Sequence, residues 1–324
     1  MRTLPLLATL LLVVAANAQT PPGSGGGGDP HDRSKTGTFI QQKQDELAHQ
    51  KQMDAAHVAL RSAAFRDALR NYAPGKLPEL RVNWGEFITA TGRVFVALQL
   101  APPAASGLRA DGKVITFGEV RNATGTVVLD FEEQARIEES KGDAFIERSL
   151  LQDVRGATGT FGIARGGEIL AVGRATFDFA APEKSTAGIS PLLVSNNVYN
   201  LPRIQKPLEP FAFGGTKVVP KPDGAFRVAD EIWLFTDLRN PALGDDKKPK
   251  VTAKIDVEGN GKKMRGAPMT IDASPLKGVE GHYGLGTTVD LSSLPRGAYK
   301  VKLTIRDEIA QQSYEREATI RLVD

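Results

Sequence analysis

The sequence predicts a mainly β protein built of two antiparallel sandwiches, and three observations support this prediction. Short β-type runs separated by turn residues fill residues 77–179 and again residues 211–324. In the run 298–306, Tyr299, Val301, Leu303 and Ile305 alternate with polar residues, as expected of a half-buried strand. The preceding stretch, 294–299, is close to the tyrosine-corner pattern of Greek-key sandwiches. This strand count and spacing are those of immunoglobulin-like domains, which we expect at 77–181 and 211–324.

The composition is that of a soluble globular protein large enough for two domains. The 324 residues are 41% hydrophobic and 24% charged. The formal net charge is only +3, so we expect no nucleic-acid partner. The chain has no cysteine, which excludes disulfides, thiol nucleophiles and thiolate metal sites.

The N-terminus has the pattern of a secretory signal peptide. Arg2 is followed by an apolar run over 4–16 that is too short to span a bilayer, and Ala16 and Ala18 supply a small-x-small cleavage site. We therefore predict a signal peptide at 1–18 and a Gly- and Pro-rich flexible linker at 19–37. The protein is expected to be extracytoplasmic, either periplasmic or secreted, with no transmembrane span after cleavage.

The sequence predicts one long α-helix at 38–73. Residues 38–72 contain neither proline nor glycine, and Pro74 and Gly75 end the segment. Apolar residues at spacings of three and four, including Leu60 and Leu69, give its second half a stripe that must dock on another surface. We expect this surface to belong to the first sandwich or to a partner.

Strands and connections follow from the same reading of alternation and turn residues. In the first domain, strands are expected at 81–89, 93–100, 114–120, 126–131, 159–164 and 168–179. Residues 132–151 are charged without alternation and predict a loop or a short helix. Residues 182–210 are rich in proline and predict an inter-domain crossing on the surface. In the second domain, strands are expected at 225–238, 250–258, 263–271, 284–291, 298–306 and 313–322.

The order of these features resembles the C-terminal region of bacterial secreted proteins that carry a von Willebrand factor A-type domain followed by two β-sandwiches. The resemblance spans about residues 77–324 and is carried by the stretches 87–100, 188–194 (GISPLLV), 226–240 (with Ile232-Trp233-Leu234-Phe235) and 294–306. The A-type domain is missing here, and the predicted linker and helix stand in its place. The resemblance therefore implies tandem sandwiches, and any adhesion role of the A-type domain does not carry over to this chain.

Two sets of residues are candidates for binding. His282 and Tyr283 lie in a glycine-rich stretch that predicts an exposed hairpin loop, where a sugar or a peptide could bind. A second set is basic and flanks one predicted hairpin, so it could form an edge that meets acidic envelope polymers. This basic edge comprises Lys247, Lys248, Lys250, Lys262, Lys263 and Arg265. Lysines at such positions more often prevent sheet-to-sheet aggregation.

The sequence predicts no catalytic, metal or cofactor site. Its four histidines show no serine or cysteine partner, and His49 and His57 are too far apart on a helix to chelate one ion. We therefore expect a non-enzymatic binding or scaffolding protein whose partner is a protein or an envelope polymer. The alternative is a carbohydrate-binding protein that uses sandwich loop tips.

Overall fold

The chain folds into paired β-sheets, as a computed structural model shows for residues 41, 43–48, 51, 58–88, 94–110, 112–179, 187–201, 208–213, 215–259, 261–276 and 280–324. Within these residues the protein is mainly β, and its strand pairings are antiparallel except for one short parallel pair. The predicted signal peptide and linker, 1–18 and 19–37, lie outside the described residues.

The first sandwich consists of two four-stranded sheets. Its strands are β1 (Arg81–Ile88), β2 (Val94–Ala101), β3 (Lys113–Arg121), β4 (Val127–Arg136), β5 (Glu138–Ser140), β6 (Asp143–Leu150), β7 (Thr158–Arg165) and β8 (Glu168–Thr176), with a 3-10 turn at Ala104–Ser106. The sheets have the orders β1-β2-β6-β5 and β4-β3-β7-β8. Their inner faces share one core that includes Leu98, Ile146, Phe131 and Phe161, all buried. The prediction of a mainly β protein with sheets stacked in layers is confirmed.

The loop or short helix predicted at 132–151 is wrong, because this segment completes β4 and forms β5 and β6. Strand β6 lacks alternation because both of its faces are covered: Ile146 and Leu150 join the inner core, whereas Leu151 at its end joins a second core on the opposite side. Arg148 lies 3.8 Å above the Phe131 ring, and burial lowers its pKa to about 10. The charged side chains within β6 are thus the reason why the sequence did not indicate a strand there.

The single helix predicted at 38–73 is also wrong. Residues 41, 43–48 and 51 are helical, but 58–62 are not, and a separate helix α1 covers Ala63–Arg70. The interruption has a tertiary cause. The Glu132 N–H donates to the Val58 carbonyl (2.8 Å), and the Glu132 carboxylate accepts from the N–H of Ser62 (2.9 Å). Ser62 then caps α1 by accepting from the Phe65 N–H (3.3 Å).

Helix α1 packs on the outer face of the β4-β3-β7-β8 sheet, in agreement with the expected docking on the first sandwich. The Phe65 ring stacks on Phe117 at a centroid distance of 4.3 Å. Leu60 and Leu69 are buried in the same cluster. The apolar stripe in the sequence therefore identified the docking face, although not the bounds of the helix.

The proline-rich segment at 182–210 is not a surface crossing in its described part. It contributes β9 (Gly188–Ile189), β10 (Leu193–Ser195) and β11 (Asn197–Asn200), and two further strands follow, β12 (Ala212–Phe213) and β13 (Thr216–Val219). Strands β11-β13-β12 form a three-stranded sheet. Leu193 and Leu208 are buried in an apolar cluster. The prolines among the described residues therefore fall between strands and not within a solvated connection.

The second sandwich packs a sheet of β9, β10, β15, β20 and β19 against a six-stranded sheet ordered β14-β22-β21-β16-β17 with β18 also on β16. The new strands are β14 (Ala225–Arg227), β15 (Ile232–Arg239), β16 (Val251–Gly259), β17 (Lys262–Arg265), β18 (Met269–Ile271), β19 (Ser274–Pro275), β20 (His282–Val289), β21 (Gly297–Asp307) and β22 (Gln312–Val323). Leu234 and Leu285 of one sheet meet Ile255 and Val301 of the other in a buried core.

The predictions for the last two strands are confirmed. Tyr299, Val301, Leu303 and Ile305 are buried, and β21 pairs with β22 along its whole length. The Tyr299 hydroxyl donates to the Pro295 carbonyl at 2.6 Å, the bond that the tyrosine-corner pattern predicts.

Gly173 of β8 permits a close crossing of the chain. The Leu80 N–H donates to the Val172 carbonyl (3.1 Å), which brings the segment before β1 onto the edge of β8. A Cβ on Gly173 would lie 1.8 Å from the Leu80 carbonyl oxygen. Only glycine fits where two backbones approach this closely.

Within the part of the chain that the structure describes, no helix has both the length and the apolar character needed to cross a bilayer.

Removal of the corner hydroxyl tests the contribution of the tyrosine corner. We expect Tyr299→Phe to lower the free energy of unfolding by about 0.5–1.5 kcal/mol, because the part-buried bond to the Pro295 carbonyl is lost. Urea denaturation measures this change. The matched control is Tyr314→Phe on the partner strand, whose hydroxyl bonds the exposed Gln312 side chain (2.7 Å). Equal effects of the two substitutions would contradict a special role for the corner.

Candidate functional site

An apolar cluster joins the two sandwiches. Phe87 and Phe95 project from the outer face of the β1-β2-β6-β5 sheet, and Phe213 and Phe235 meet them from the other side. The Phe87 ring lies 5.3 Å from the Phe213 ring, and Phe213 lies 5.7 Å from Phe235. We call this cluster the junction core. Because apolar burial removes area from water on both partners, the junction core holds the sandwiches against each other.

Buried charges border the junction core. Asp237 and Arg239 continue the face of β15 that carries Trp233 and Phe235, since alternate residues of a strand share a face. Arg239 reaches across to Glu86 of β1 (Nη1 to Oε1, 3.0 Å) and also contacts Asp237 (Nε to Oδ2, 3.2 Å). All three residues are buried. This chain of ion pairs therefore ties the first strand of one sandwich to the central strand of the other.

The pKa values of these groups respond to burial and to their neighbours. Burial raises the pKa of Glu86, although the Arg239 charge opposes that rise. Burial acts to lower the pKa of Arg239, but the charges of Glu86 and Asp237 outweigh it and the pKa is raised. Asp237 Oδ1 and Arg239 Nη2 are buried without a hydrogen-bond partner among the described residues. Loss of either sign of charge would leave its counterpart unpaired in an apolar setting.

His282 adds a hydrogen bond to this chain of ion pairs. It lies opposite Arg239 in the β15–β20 ladder, and its Nδ1 is 2.8 Å from Asp237 Oδ2. Ser190 also lies next to Asp237, but its Oγ accepts from the Asp237 N–H (2.9 Å) and contacts Thr236 Oγ1 (3.2 Å). The serine hydroxyl is therefore engaged with the backbone of β15. The arrangement links strands β1, β15 and β20.

A second buried polar cluster joins the first sandwich to β13. Lys217 is nearly inaccessible, and its Nζ contacts Glu147 (2.6 Å), Glu209 (3.0 Å) and the Pro210 carbonyl (2.7 Å). Burial raises the pKa of Glu147 to about 7 against the pull of the Lys217 charge. Burial also acts to lower the pKa of Lys217, but pairing with the two carboxylates outweighs it. Both charged clusters thus lie where the two halves of the molecule meet.

A cleft of about 310 Å³ opens beside the junction core, between the two sandwiches. Four strands contribute its walls: β1 through residues 81–84, β10 with the residues before it, β14 through Phe226, and β22 through residues 316–320. Trp84 lines the cleft, half-buried, with its ring 5.5 Å from Phe177. Arg81, Lys221 and Arg316 supply positive charge to the walls, and Asp178 and Glu317 supply negative charge. The cleft is the concave, mixed polar and apolar surface that ligand sites require.

The two guanidinium groups of the cleft are bonded to neutral acceptors. Arg81 donates to the Asp223 carbonyl (2.6 Å) and to Asn83 Oδ1 (3.1 Å). Arg316 donates to the carbonyls of Glu315 (2.9 Å) and Ile189 (2.6 Å). Burial lowers the pKa of both arginines; the Asp223 charge opposes this effect at Arg81, and the Arg239 charge adds to it at Arg316. Among the described residues, the side-chain bonds of both arginines go to these neutral oxygens.

The exposed loop predicted at His282 and Tyr283 is wrong in position. Both residues belong to strand β20; His282 is buried, and Tyr283 is half-buried against the second core. Their pairing with Arg239 and Leu238 of β15 places them in the sheet. Gly284 and Gly286 lie in this strand, where Gly286 accommodates the Phe235 ring, and only Gly281 lies in the turn before it.

The basic residues do not form one edge. Lys247, Lys248 and Lys250 precede β16, whereas Lys262, Lys263 and Arg265 lie on β17, which pairs with the far end of β16. Arg265 lies opposite Asp256, six residues along the chain from Lys250, so the two groups are about 20 Å apart or more at about 3.4 Å per residue. On β17, Lys263 contacts Glu258 (2.8 Å) and Arg265 contacts Asp256 (3.2 Å). Charge on this exposed edge strand fits protection against aggregation.

The sequence reasoning missed the residues of the cleft and of the buried ion pairs. A signal for them existed. Asp237 and Arg239 fall on an inward face of an otherwise apolar run, and Arg316 occupies the same alternation register as the buried Ile320. A charge at an inward position indicates either a buried pair or a site.

Replacement of Arg239 tests the chain of ion pairs. We expect Arg239→Met to destabilise the protein by about 3–5 kcal/mol, because Glu86 and Asp237 then lack their cation. Adding Glu86→Gln should restore part of this loss, which a double-mutant cycle in urea measures. The control is Arg306→Met, which breaks an exposed contact with Glu308 and should cost at most about 1 kcal/mol. A loss from Arg239→Met no larger than that of the control would contradict the assignment.

The pH dependence of stability tests Glu147. Its carboxyl has a pKa of about 7 when folded, against 4.5 for the ordinary group, so between these values the folded state holds a proton that the unfolded state has lost. Relative to Glu147→Gln, the protein should lose stability as pH rises from about 4.5 to about 7, by about 3 kcal/mol in all at 1.36 kcal/mol per unit. Urea midpoints at pH 5 and pH 8 for both proteins measure the difference. A difference that is constant, or that grows with pH, would show that the carboxyl stays ionised.

Among the described residues, no group of three or more histidine, aspartate and glutamate side chains is arranged to hold a metal ion. No family model matches the chain, and no curated protein is similar enough to match it.

Proposed function

We propose that the protein is exported and acts as a non-enzymatic binding or scaffolding protein of the cell envelope, with the cleft between its two sandwiches as the binding surface and a protein as its partner. Export follows from the N-terminal charge, apolar run and cleavage pattern at residues 1–18. We propose immunoglobulin-like topology for both sandwiches, in line with the tyrosine corner at Tyr299 and with the resemblance to tandem-sandwich secreted proteins.

The observation that carries the proposal is the way the cleft is held. Its β1 wall belongs to the first sandwich, and its β10 and β22 walls belong to the second. The junction core and the Glu86–Arg239 ion pair lie beside these walls and hold them in register. A surface whose shape is set in the free protein loses little entropy on binding, which favours recognition.

The buried polar groups support a structural role rather than turnover. Arg239, Asp237 and His282 contact one another, and Lys217 contacts Glu147 and Glu209. Each cluster connects strands from different sheets or different sandwiches. The function therefore rests with the open cleft, where Trp84, Arg81 and Arg316 are available to a ligand.

Site-specific photo-cross-linking tests the proposal. A photoreactive phenylalanine analogue at Leu192, which lines the cleft, should capture a discrete partner from the envelope fraction of cells that make the protein. The same analogue at Thr124, in an exposed turn outside the cleft, is the matched control. Identical capture patterns from the two positions, or capture from Thr124 alone, would rule out the cleft as the binding surface.

A further inference from the structure

One side of strand β22 is open along most of its length. Strand β22 pairs with β21 from Gln312 to Leu322, but β14 covers its other side only from Arg321 to Val323. The Arg321 N–H donates outward to the Gly224 carbonyl at 2.9 Å. Because backbone groups alternate along a strand, the N–H and C=O of Thr319 and Glu317 point the same way. Among the described residues, no backbone group pairs with this stretch.

The open stretch of β22 is the wall of the cleft. Residues 316–320 line it, directly beyond the point where β14 leaves the sheet. At about 3.3 Å per residue, these five residues offer an edge about 13 Å long. An extended chain placed in the cleft would continue the line of β14 and bond to backbone groups that now lack a strand partner.

The cleft holds charges of both signs, and two of its three cations, Arg81 and Arg316, bond to neutral oxygens. The buried cations elsewhere at the junction, Lys217 and Arg239, each contact two carboxylates. Arg81 and Arg316 differ, since their donors contact carbonyl and amide oxygens in the described residues. Burial lowers both pKa values, against the opposing charge of Asp223 at Arg81 and of Glu86 and Asp178 at Arg316. A carboxylate of a ligand would provide each of these guanidinium groups with a counter-charge.

We infer that the cleft binds an extended peptide segment of a partner protein, which adds a strand to the open edge of β22 and places acidic side chains against Arg81 and Arg316. This inference rests on the proposed binding function and assigns its chemistry. Main-chain hydrogen bonds to β22 supply a sequence-tolerant part of the affinity, and the two arginines select for glutamate or aspartate. Trp84 forms the apolar part of the opposite wall and contacts the side chain between the acidic positions.

Fluorescence anisotropy with defined peptides tests the inference. The probe is a labelled eight-residue peptide of alternating glutamate and valine, and its matched control alternates lysine and valine. We expect the protein to bind the acidic peptide alone, more weakly as salt is raised. Arg81→Gln and Arg316→Gln should each weaken binding about tenfold or more, whereas Arg70→Gln at the exposed end of α1 should leave it unchanged.

The contribution of the strand edge needs its own measurement. Thr319→Pro removes the outward N–H of β22 and should abolish binding, with circular dichroism and urea midpoints reporting whether the variant folds. An acidic peptide N-methylated at every residue keeps its charge but has no N–H on either edge, and it tests the same contact with the unaltered protein. We expect it not to bind.

Several outcomes would overturn the inference. Equal binding of acidic and basic peptides would exclude charge selection, and binding that survives N-methylation would exclude strand addition. Competition by oligogalacturonate, which carries carboxylates without peptide groups, would assign the cleft to a glycan. If the protein self-associates and Thr319→Pro abolishes this association, the cleft would be assigned to a second copy of the chain. Capture from Leu192 together with failure of the acidic peptide would leave the binding function in place and refute only the peptide mode.

Discussion

The junction core is the constraint on which the rest of the structure depends. A sandwich sheet commonly has one wet face, but the β1-β2-β6-β5 sheet is covered on both. Phe87 and Phe95 on its outer face require an apolar partner, which Phe211, Phe213 and Phe235 provide. The segment between the sandwiches is consequently folded into strands, since a solvated connection could not cover these rings.

Coverage of both faces also explains the buried charges. Each ionisable group that lies at the junction loses water and must find a counter-charge or shift its pKa. Glu86 finds Arg239, and Glu147 finds Lys217. These pairs add little net stability compared with apolar packing, but they accept only one register of one sandwich against the other. They therefore specify how the domains meet, and with it the shape of the cleft.

Arg81 and Arg316 depart from this pattern, and their departure directs attention to function. The buried junction cations Lys217 and Arg239 contact carboxylates, whereas Arg81 and Arg316 of the cleft bond to neutral oxygens. Exposed edges are usually protected by charge or by short length. Here the edge lies inside a cleft, and β1 of the first sandwich forms one of the walls that face it.

Local patterns predicted the parts of the fold that have one wet face. The alternation in 298–306 identified β21 and its core residues, and the corner sequence identified the hydrogen bond from Tyr299 to Pro295. The same reasoning failed at 132–151 and at 182–210. Both faces of strand β6 are buried against different partners, and the strand carries Glu147 and Arg148, which make contacts there. Its sequence therefore shows neither the polarity nor the alternation that marks a strand with one wet face.

The sequence by itself determined that this chain is mainly β, that its closing hairpin buries alternate residues, and that helix α1 has an apolar side. These features depend on residues within a few positions of one another. Only the tertiary structure decided where the helix begins, which charges are buried and where the cleft lies. Glu132 begins the helix by binding Ser62 from 70 positions away, and Arg239 meets Glu86 across 153 positions. Such contacts depend on how two sandwiches settle on a shared core, which no local pattern encodes.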